Sequence, residues 1–305
     1  MEKRTALITG GSGYLGSHLS KALKEQGWHI ILLDSKEPKH RYHDILVLSD
    51  IRTCSDSVFR ICEIDTVFHL AGRIEAGISF EEPTEFYEVN TGGTLRLLNK
   101  MKKYGIKKIV YSSTAGVYKA KDTPLKEDDE IARNSPYATS KYCSEQAIID
   151  SGLNWTILRY FNLAGADPEG EMGEDHEPET HLIPRILQNL NTVEIYGNDY
   201  ATPDGTCIRD YVHVSDIADA HILAADFRIN SIFNLGTGYG YTNLEIIKEI
   251  ENVTGHTVNY TIKPRRPGDA DRLVADISRA KTLLGYKPKH DLKSIIKTAY
   301  DWHNK

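Results

Sequence analysis

The chain has 305 residues, 40% hydrophobic and 26% charged, an ordinary balance for a globular protein of about two domains. Its net charge of −6, without any lysine- or arginine-rich block, argues against a nucleic-acid binder, and no apolar run is long enough for a signal peptide or a membrane span. Cys54, Cys62, Cys143 and Cys207 are scattered without Cys-x-x-Cys spacing, which suits a reduced, cytoplasmic setting.

Short apolar runs alternate with helix-period segments through the first half. Ala6–Thr9 predicts a strand, followed by a helix over Tyr14–Gln26 with Leu15, Leu19, Ala22 and Leu23 on one face and Gly27 ending it. His29–Leu33, Ile45–Leu48, Thr66–Leu70, Lys108–Ser112 and Trp155–Tyr160 read as further strands, apolar enough to be buried on both faces of a parallel sheet. Beyond Asn162 the rhythm breaks. Residues 164–180, rich in Gly, Pro, Glu and Asp, predict a long loop, of a kind that is usually functional. A helix over Leu182–Leu190, short strands, a helix over Ser215–Phe227 and a strand at Ile232–Leu235 follow, and the C-terminal third mixes short helices and strands. The expected fold is α/β: a Rossmann doubly wound parallel sheet from residues 1–163 and 207–235, with a smaller, partly discontinuous C-terminal α/β substrate domain from 164–206 and 236–305.

Thr9-Gly10-Gly11-Ser12-Gly13-Tyr14-Leu15-Gly16 joins the first strand to the first helix. Gly10, Gly13 and Gly16 permit a tight turn and close approach of backbone N–H groups to a pyrophosphate, and Tyr14 and Leu15 open the helix whose N-terminus favours that anion. Asp34 ends the second strand, where a carboxylate accepts hydrogen bonds from ribose hydroxyls and repels a 2′-phosphate. NAD is therefore expected rather than NADP. Asp50 and Ile51, after the third apolar run, are placed beside the adenine.

Tyr137-Ala138-Thr139-Ser140-Lys141 opens a helix running to about Asp150, after the turn Asn134-Ser135-Pro136. Tyr137 and Lys141 lie four apart, on one helix face. A free phenol titrates near ~10, and a lysine ammonium with an oxidised nicotinamide would favour the phenolate as a base. Ser112, Ser113 and Thr114 end the preceding strand with hydroxyls available to the reacting oxygen. No metal-ligand constellation is read from the sequence: His40 and His43 sit beside Asp44, but in a polar stretch that reads as exposed.

Several segments together resemble the UDP-glucose 4-epimerases, within the extended short-chain dehydrogenases/reductases. They are Phe68-His69-Leu70-Ala71-Gly72, Tyr87-x-Val89-Asn90, Ser112-Ser113-Thr114-Ala115-Gly116-Val117-Tyr118, Leu158-Arg159-Tyr160-Phe161-Asn162, Gly173-Glu174-Asp175-His176, Tyr196-Gly197-Asn198-Asp199-Tyr200, Arg209-Asp210-Tyr211-Val212-His213 and Pro264-Arg265-Arg266-Pro267-Gly268-Asp269. The resemblance runs almost end to end. It implies a cycle in which Tyr137 takes the sugar 4-hydroxyl proton while hydride passes from C4 to NAD, the 4-keto sugar rotates, and hydride returns to the opposite face.

In that resemblance Lys141 holds the nicotinamide ribose, Thr114 assists at O4 in place of the more usual serine, and Leu70, Ala71, Gly72, Asn90, Ser112 and Tyr160 join the cofactor site. Arg209 and Arg266 match diphosphate contacts, a task suited to arginine. Asn162 lies in the diphosphate region, Asp269 at the uridine ribose, and Leu182 with Tyr196 at the uracil. Thr180-His181 replaces an Asn pair common in relatives, which places His181 at the substrate. Ile74, preceded by Arg73, stands where a cofactor-contacting lysine is common, and the stretch from Asp34 to Asp50 is shorter than in many members. Leu273 varies with bulky tyrosine in the family and suggests room for an N-acetyl group. A homodimer is the family expectation. Ala115-Gly116 stand where a sugar dehydratase carries Asp-Glu, which argues against elimination chemistry. An epimerase or decarboxylase of UDP-N-acetylglucosamine or UDP-glucuronate is the alternative, and a non-enzymatic NAD-binding regulator, which needs no Tyr/Lys pair, is a more distant one.

Overall fold

The computed structural model describes residues 3–266 and 269–305, so Met1, Glu2, Pro267 and Gly268, part of the segments read above, lie outside the described residues. The chain forms two compact units. The first comprises Met1–Val117, Ile131–Arg159 and Ala218–Phe233, the second Tyr118–Glu130, Tyr160–Ile217 and Asn234–Lys305.

In chain order the first elements are β1 (Thr5–Thr9), α1 (Tyr14–Glu25), β2 (His29–Asp34), β3 (Ile45–Leu48), β4 (Thr66–His69), α2 (Pro83–Phe86), α3 (Gly93–Lys103), β5 (Lys108–Thr114), α4 (Pro136–Ile149), β6 (Asn154–Tyr160) and β7 (Asn162–Ala164). They continue with α5 (Leu182–Gln188), β8 (Val193–Tyr196), β9 (Ile208–Arg209), β10 (Tyr211–His213), α6 (Val214–Asp226), β11 (Ser231–Leu235), β12 (Tyr241–Thr242), α7 (Asn243–Thr254), β13 (Tyr260–Lys263), β14 (Arg272–Leu273) and α8 (Leu292–His303).

Seven strands form the main sheet in the order β11-β6-β5-β4-β1-β2-β3. The pairs β1–β2, β1–β4, β2–β3 and β4–β5 run parallel. The order in which the chain lays down its strands reverses between β1 and β4, the switch point at which doubly wound sheets bind ligands beyond the carboxyl ends of their strands. Thr9 stands opposite both Leu33 and His69, so the loops after β1, β2 and β4 leave the sheet side by side. Beneath them Leu7, Ile31, Val67, Leu97, Met101 and Ile109 pack into one apolar core. Ile45–Leu48 departs from the expected burial on both faces: β3 is the sheet edge, and Leu46 and Leu48 are exposed.

Pro136 starts α4, and the Ser135 side chain accepts the Ala138 N–H as its N-cap. Its inward face is polar, burying Ser140, Lys141, Ser144 and Glu145. Glu145 accepts from Arg159 of β6, with Nε–Oε1 at 2.9 Å and Nη2–Oε2 at 2.5 Å, and also from the hydroxyl of Ser113 on β5. Both charged side chains are almost completely buried.

In the second unit β9 lies between β12 and β14, while β7 pairs β10 and β8 pairs β13. Ile183, Ile186, Val193, Ile195, Ile246 and Ile295 form its core. A Thr242/Glu245 capping box starts α7, and Gly255 with φ +73° ends it. The loop expected over 164–180 is irregular from Gly165 to His181, and α5 ends at Gln188 rather than Leu190.

The Glu145–Arg159 pair makes a stability prediction. Removing one partner, as in Glu145→Leu, strands the other charge and costs about 3–5 kcal/mol, whereas the double replacement Glu145→Leu/Arg159→Met costs much less. Urea unfolding checks this; a double variant no more stable than either single one would count against it.

Candidate active site

The glycine-rich turn is built for close backbone approach. Gly10 has φ +73°, and a Cβ there would lie 2.6 Å from the Ala71 nitrogen, while one at Gly16 would run into the Gly10 carbonyl. At Gly13 it would meet only the Gly10 carbonyl, at 3.4 Å, so the mouth of α1 stays open above Tyr14 and Leu15. Asp34 ends β2 beside this turn, its carboxylate held by the Ser12 and Lys36 N–H groups, both at 2.9 Å. An open helix N-terminus flanked by a fixed carboxylate fits an unphosphorylated adenosine ribose and a pyrophosphate.

His40 corrects the sequence expectation. It is buried, not exposed: Nε2–H donates to the Gly11 carbonyl at 3.0 Å, and Nδ1 accepts the Tyr42 N–H at 3.2 Å. Burial lowers its pKa, and the neutral ring supports the turn from below. Nothing local in the sequence marks this, because the contact joins residues 29 positions apart. Asp50 is occupied by Arg52, which donates to both its oxygens, and Ile51 is buried under Gly93.

Leu70, Ala71 and Gly72 leave β4 next to Gly10. A Cβ at Gly72 would stand 2.7 Å from Asn90 Oδ1 and 3.9 Å from Lys141 Nζ. Asn90 lies in a π-helical turn, Tyr87–Gly92, which the sequence reading did not foresee. Its Oδ1 accepts the Arg73 N–H at 2.8 Å, and its Nδ2 donates to the Arg73 carbonyl at 3.1 Å and to Ser140 Oγ at 2.9 Å. Arg73 lies over the Phe86 ring at 4.8 Å and pairs with Glu82.

Tyr137 and Lys141 share one side of α4. Tyr137 lies near Thr114 at the end of β5, whose hydroxyl favours the phenolate, and Thr114 Oγ1 accepts the Gly116 N–H at 3.0 Å. Lys141 is buried, its ammonium 4.5 Å from the centre of the Tyr111 ring. Burial pushes the Tyr137 phenol up to about 12, against the opposing influence of the Thr114 hydroxyl, and pulls Lys141 down to about 7, against the field of Glu145. Ser112 turns its hydroxyl away to His221, at 2.8 Å.

The remaining predicted positions lie in the second unit. Tyr160 ends β6 and Asn162 opens β7, its N–H bonded to the Asp210 carbonyl. Arg209 on β9 is buried, pairs with Asp269 and donates to the Ala270 carbonyl at 2.8 Å; Leu273 of β14 is its register partner. Arg266 stacks on the Tyr196 ring at 4.0 Å. Arg209, Asp269 and Leu273 thus form one cluster and Arg266 with Tyr196 another, joined where the Asp269 N–H donates to the Arg266 carbonyl at 3.2 Å. Leu182 begins α5, and His181 is bonded to Glu174.

Strand order, glycine turn and acidic β2 terminus together define a dinucleotide-binding α/β protein, and the Tyr137–Lys141–Thr114 group can exchange a proton beside that site. Residues 6–236 match the NAD dependent epimerase/dehydratase family. The UDP-glucose 4-epimerase of Lacticaseibacillus casei is 42% identical, over 98% of this chain and 96% of that protein. Among solved structures, UDP-glucose-4-epimerase from Stenotrophomonas maltophila with bound NAD and formylated UDP-arabinopyranose superposes with a TM-score of 0.94 at 34% identity, covering 99% of this chain and 98% of that one. The UDP-glucose 4-epimerase from Bifidobacterium longum in complex with NAD+ and UDP gives 0.90 at 34%, covering 98% of both chains. The chain belongs to the NAD dependent epimerase/dehydratase family. Among the described residues no helix is long and apolar enough to cross a membrane.

The buried lysine makes a pH prediction. Its folded pKa, about 7, lies below the unfolded 10.5, so between those values only the unfolded chain binds this proton. Stability from this group is full above 10.5 and is lost as pH falls toward 7. In dinucleotide-free protein, Lys141→Met is therefore more stable than the native chain at pH 7, by on the order of 1–3 kcal/mol, and the gap closes by about pH 10. Denaturant unfolding at both pH values checks it; a variant less stable at pH 7 contradicts it.

Proposed function

We propose that the chain is an NAD-dependent 4-epimerase of UDP-hexoses, interconverting UDP-galactose and UDP-glucose through a transient 4-keto sugar. The observation that carries this reading is Tyr137, next to Thr114 and one helical turn from buried Lys141, on the same sheet whose β1 leads into the glycine turn. The NAD bound in both relatives, with formylated UDP-arabinopyranose in one and UDP in the other, supports it.

NAD, when bound, accepts hydride from C4 and returns it to the opposite face. Gly10, Gly13, Gly16, Tyr14 and Leu15 hold its pyrophosphate, Asp34 its adenosine ribose, and Asp50 and Ile51 flank the adenine. Leu70, Ala71, Gly72, Asn90, Ser112 and Tyr160 complete that site. Tyr137, as phenolate, takes the O4 proton, Thr114 hydrogen-bonds O4, and Lys141 orients the nicotinamide ribose and stabilises the phenolate charge. On the return half-cycle Tyr137 gives the proton back.

Rotation of the keto sugar requires that the nucleotide be held while the hexose is loose. Arg209 and Arg266 bind the diphosphate with Asn162, Asp269 the uridine ribose, and Leu182 with Tyr196 the uracil, with His181 also on the substrate side. Leu273 leaves room for an N-acetyl group, so UDP-N-acetylglucosamine is turned over too; activity on UDP-glucose alone would remove that extension. The enzyme works in the cytoplasm, supported by its four free thiols, and as a homodimer, which size-exclusion chromatography with light scattering decides.

Purified protein incubated with UDP-galactose forms UDP-glucose to equilibrium without net redox. Tyr137→Phe lowers kcat by about 10²- to 10⁴-fold while retaining NAD. Absence of turnover on any UDP-sugar in NAD-loaded native protein would overturn the assignment.

A further inference from the structure

The irregular loop between β7 and α5 gathers four potential metal ligands. One donor atom each from Glu174, His176, Glu179 and His181 lie within 4.8 Å of one another. His176 Nδ1 stands 3.3 Å from Glu174 Oε1 and 3.7 Å from Glu179 Oε2, and His181 Nδ1 stands 3.9 Å from Glu179 Oε1 and in hydrogen-bond contact with Glu174 Oε1. Ligands held about 2.1 Å from a tetrahedral zinc ion are about 3.4 Å apart, so the three longer separations are close to those of a coordination sphere, and the His181–Glu174 hydrogen bond would be exchanged for one bond from each residue to the ion.

A second observation points the same way. The Glu179 side chain is only 5% exposed. Its Oε1 accepts the Thr180 and His181 N–H groups, both at 2.8 Å, while Oε2 has no hydrogen-bond partner. A buried carboxylate oxygen left without a donor, facing an imidazole nitrogen, is costly unless a cation completes it. As a pure ion-pair cluster the group also turns both Nδ1 atoms onto one oxygen of Glu174.

We propose that Glu174, His176, Glu179 and His181 form a structural site for one divalent zinc-class ion. Two carboxylates neutralise the ion, and two imidazoles complete a nitrogen–oxygen set that suits zinc. Four protein donors leave no open position, which makes the site structural rather than catalytic. The ion would tie the long loop to the start of α5, which has no side-chain N-cap. The spacing Glu-x-His-x-x-Glu-x-His is visible in the sequence once the loop is known to fold back on itself.

The test uses the full-length protein, expressed without a histidine tag, and zinc chloride alone. Elemental analysis is expected to find about one zinc per chain. Chelator-stripped protein should take up one equivalent in competition with a chromogenic chelator, and its Tm should rise by on the order of 5 °C. His176→Ala and the milder Glu179→Gln each weaken uptake at least about tenfold, with far-UV circular dichroism reporting that they are folded. The proposal is overturned if native protein binds no zinc, or if uptake is unchanged in both folded variants. Because the readouts are metal content and Tm, the result stands whether or not the epimerase assignment does.

Discussion

The active-site helix is held by one buried carboxylate. Glu145 sits on the inward face of α4, one helical turn beyond Lys141, and is satisfied only when Arg159 of β6 and Ser113 of β5 both reach it. An apolar residue at this position would dock α4 against the sheet in any of several nearby registers. A carboxylate accepting from two adjacent strands is satisfied in one of them, since displacement by a residue moves it about 1.5 Å along the axis and breaks bonds of this length. The position of Tyr137 relative to Thr114 follows from that registration. Glu145 also favours the charged form of Lys141, so the group that fixes the helix tunes its chemistry.

The same inward face of α4 is also held by Asn90, whose π-helical turn lets one side chain span Arg73 and Ser140. A chain of hydrogen bonds runs beneath it. The Asn90 carbonyl accepts from Thr94 Oγ1 at 2.6 Å, so Thr94 must accept from His69 Nε2, at 2.9 Å. His69 Nδ1 is then the acceptor for Thr9 Oγ1, at 2.7 Å, and Thr9 accepts the Ala71 N–H at 3.3 Å. Burial and the nearby Lys141 charge hold His69 down to about 3, so the ring is neutral and the direction of the chain is fixed. The glycine turn and the Tyr/Lys helix thus share a single hydrogen-bond framework that crosses β1 and β4.

What the sequence disclosed was what local chemistry encodes. Gly10, Gly13 and Gly16 mark a turn because only that backbone needs them, and Asp34 ends an apolar run in the expected place. Tyr137 and Lys141 sit four apart after a capped proline, so their shared side of α4 is a local property. The π-turn at Tyr87–Gly92, the burial of His40 under Gly11 and the exposure of Leu46 and Leu48 were not legible in this way. Each depends on what lies across the fold: which strand is the edge, which loop has a free carbonyl, which helix must yield a residue to let an amide reach. The His/Glu cluster at 174–181 is intermediate. Its residues are close in sequence, but the alternation suggests ligands only once the loop closes upon itself.

The resting electrostatics of the tyrosine–lysine pair oppose the form in which it acts. With the phenol near 12 and the amine near 7, burial disfavours each charge taken singly. Phenol with neutral amine and phenolate with ammonium carry the same total charge, however, and differ only in where one proton lies. Bulk pH does not choose between those two forms; the surroundings do. Glu145 favours the ammonium, whereas Glu75 disfavours the phenolate, so the protein's own charges leave the balance divided. A cation placed at the phenolate oxygen, as oxidised nicotinamide is in the proposed reaction, tips it toward the base. A site arranged in this way holds its base in reserve until the oxidised cofactor is present.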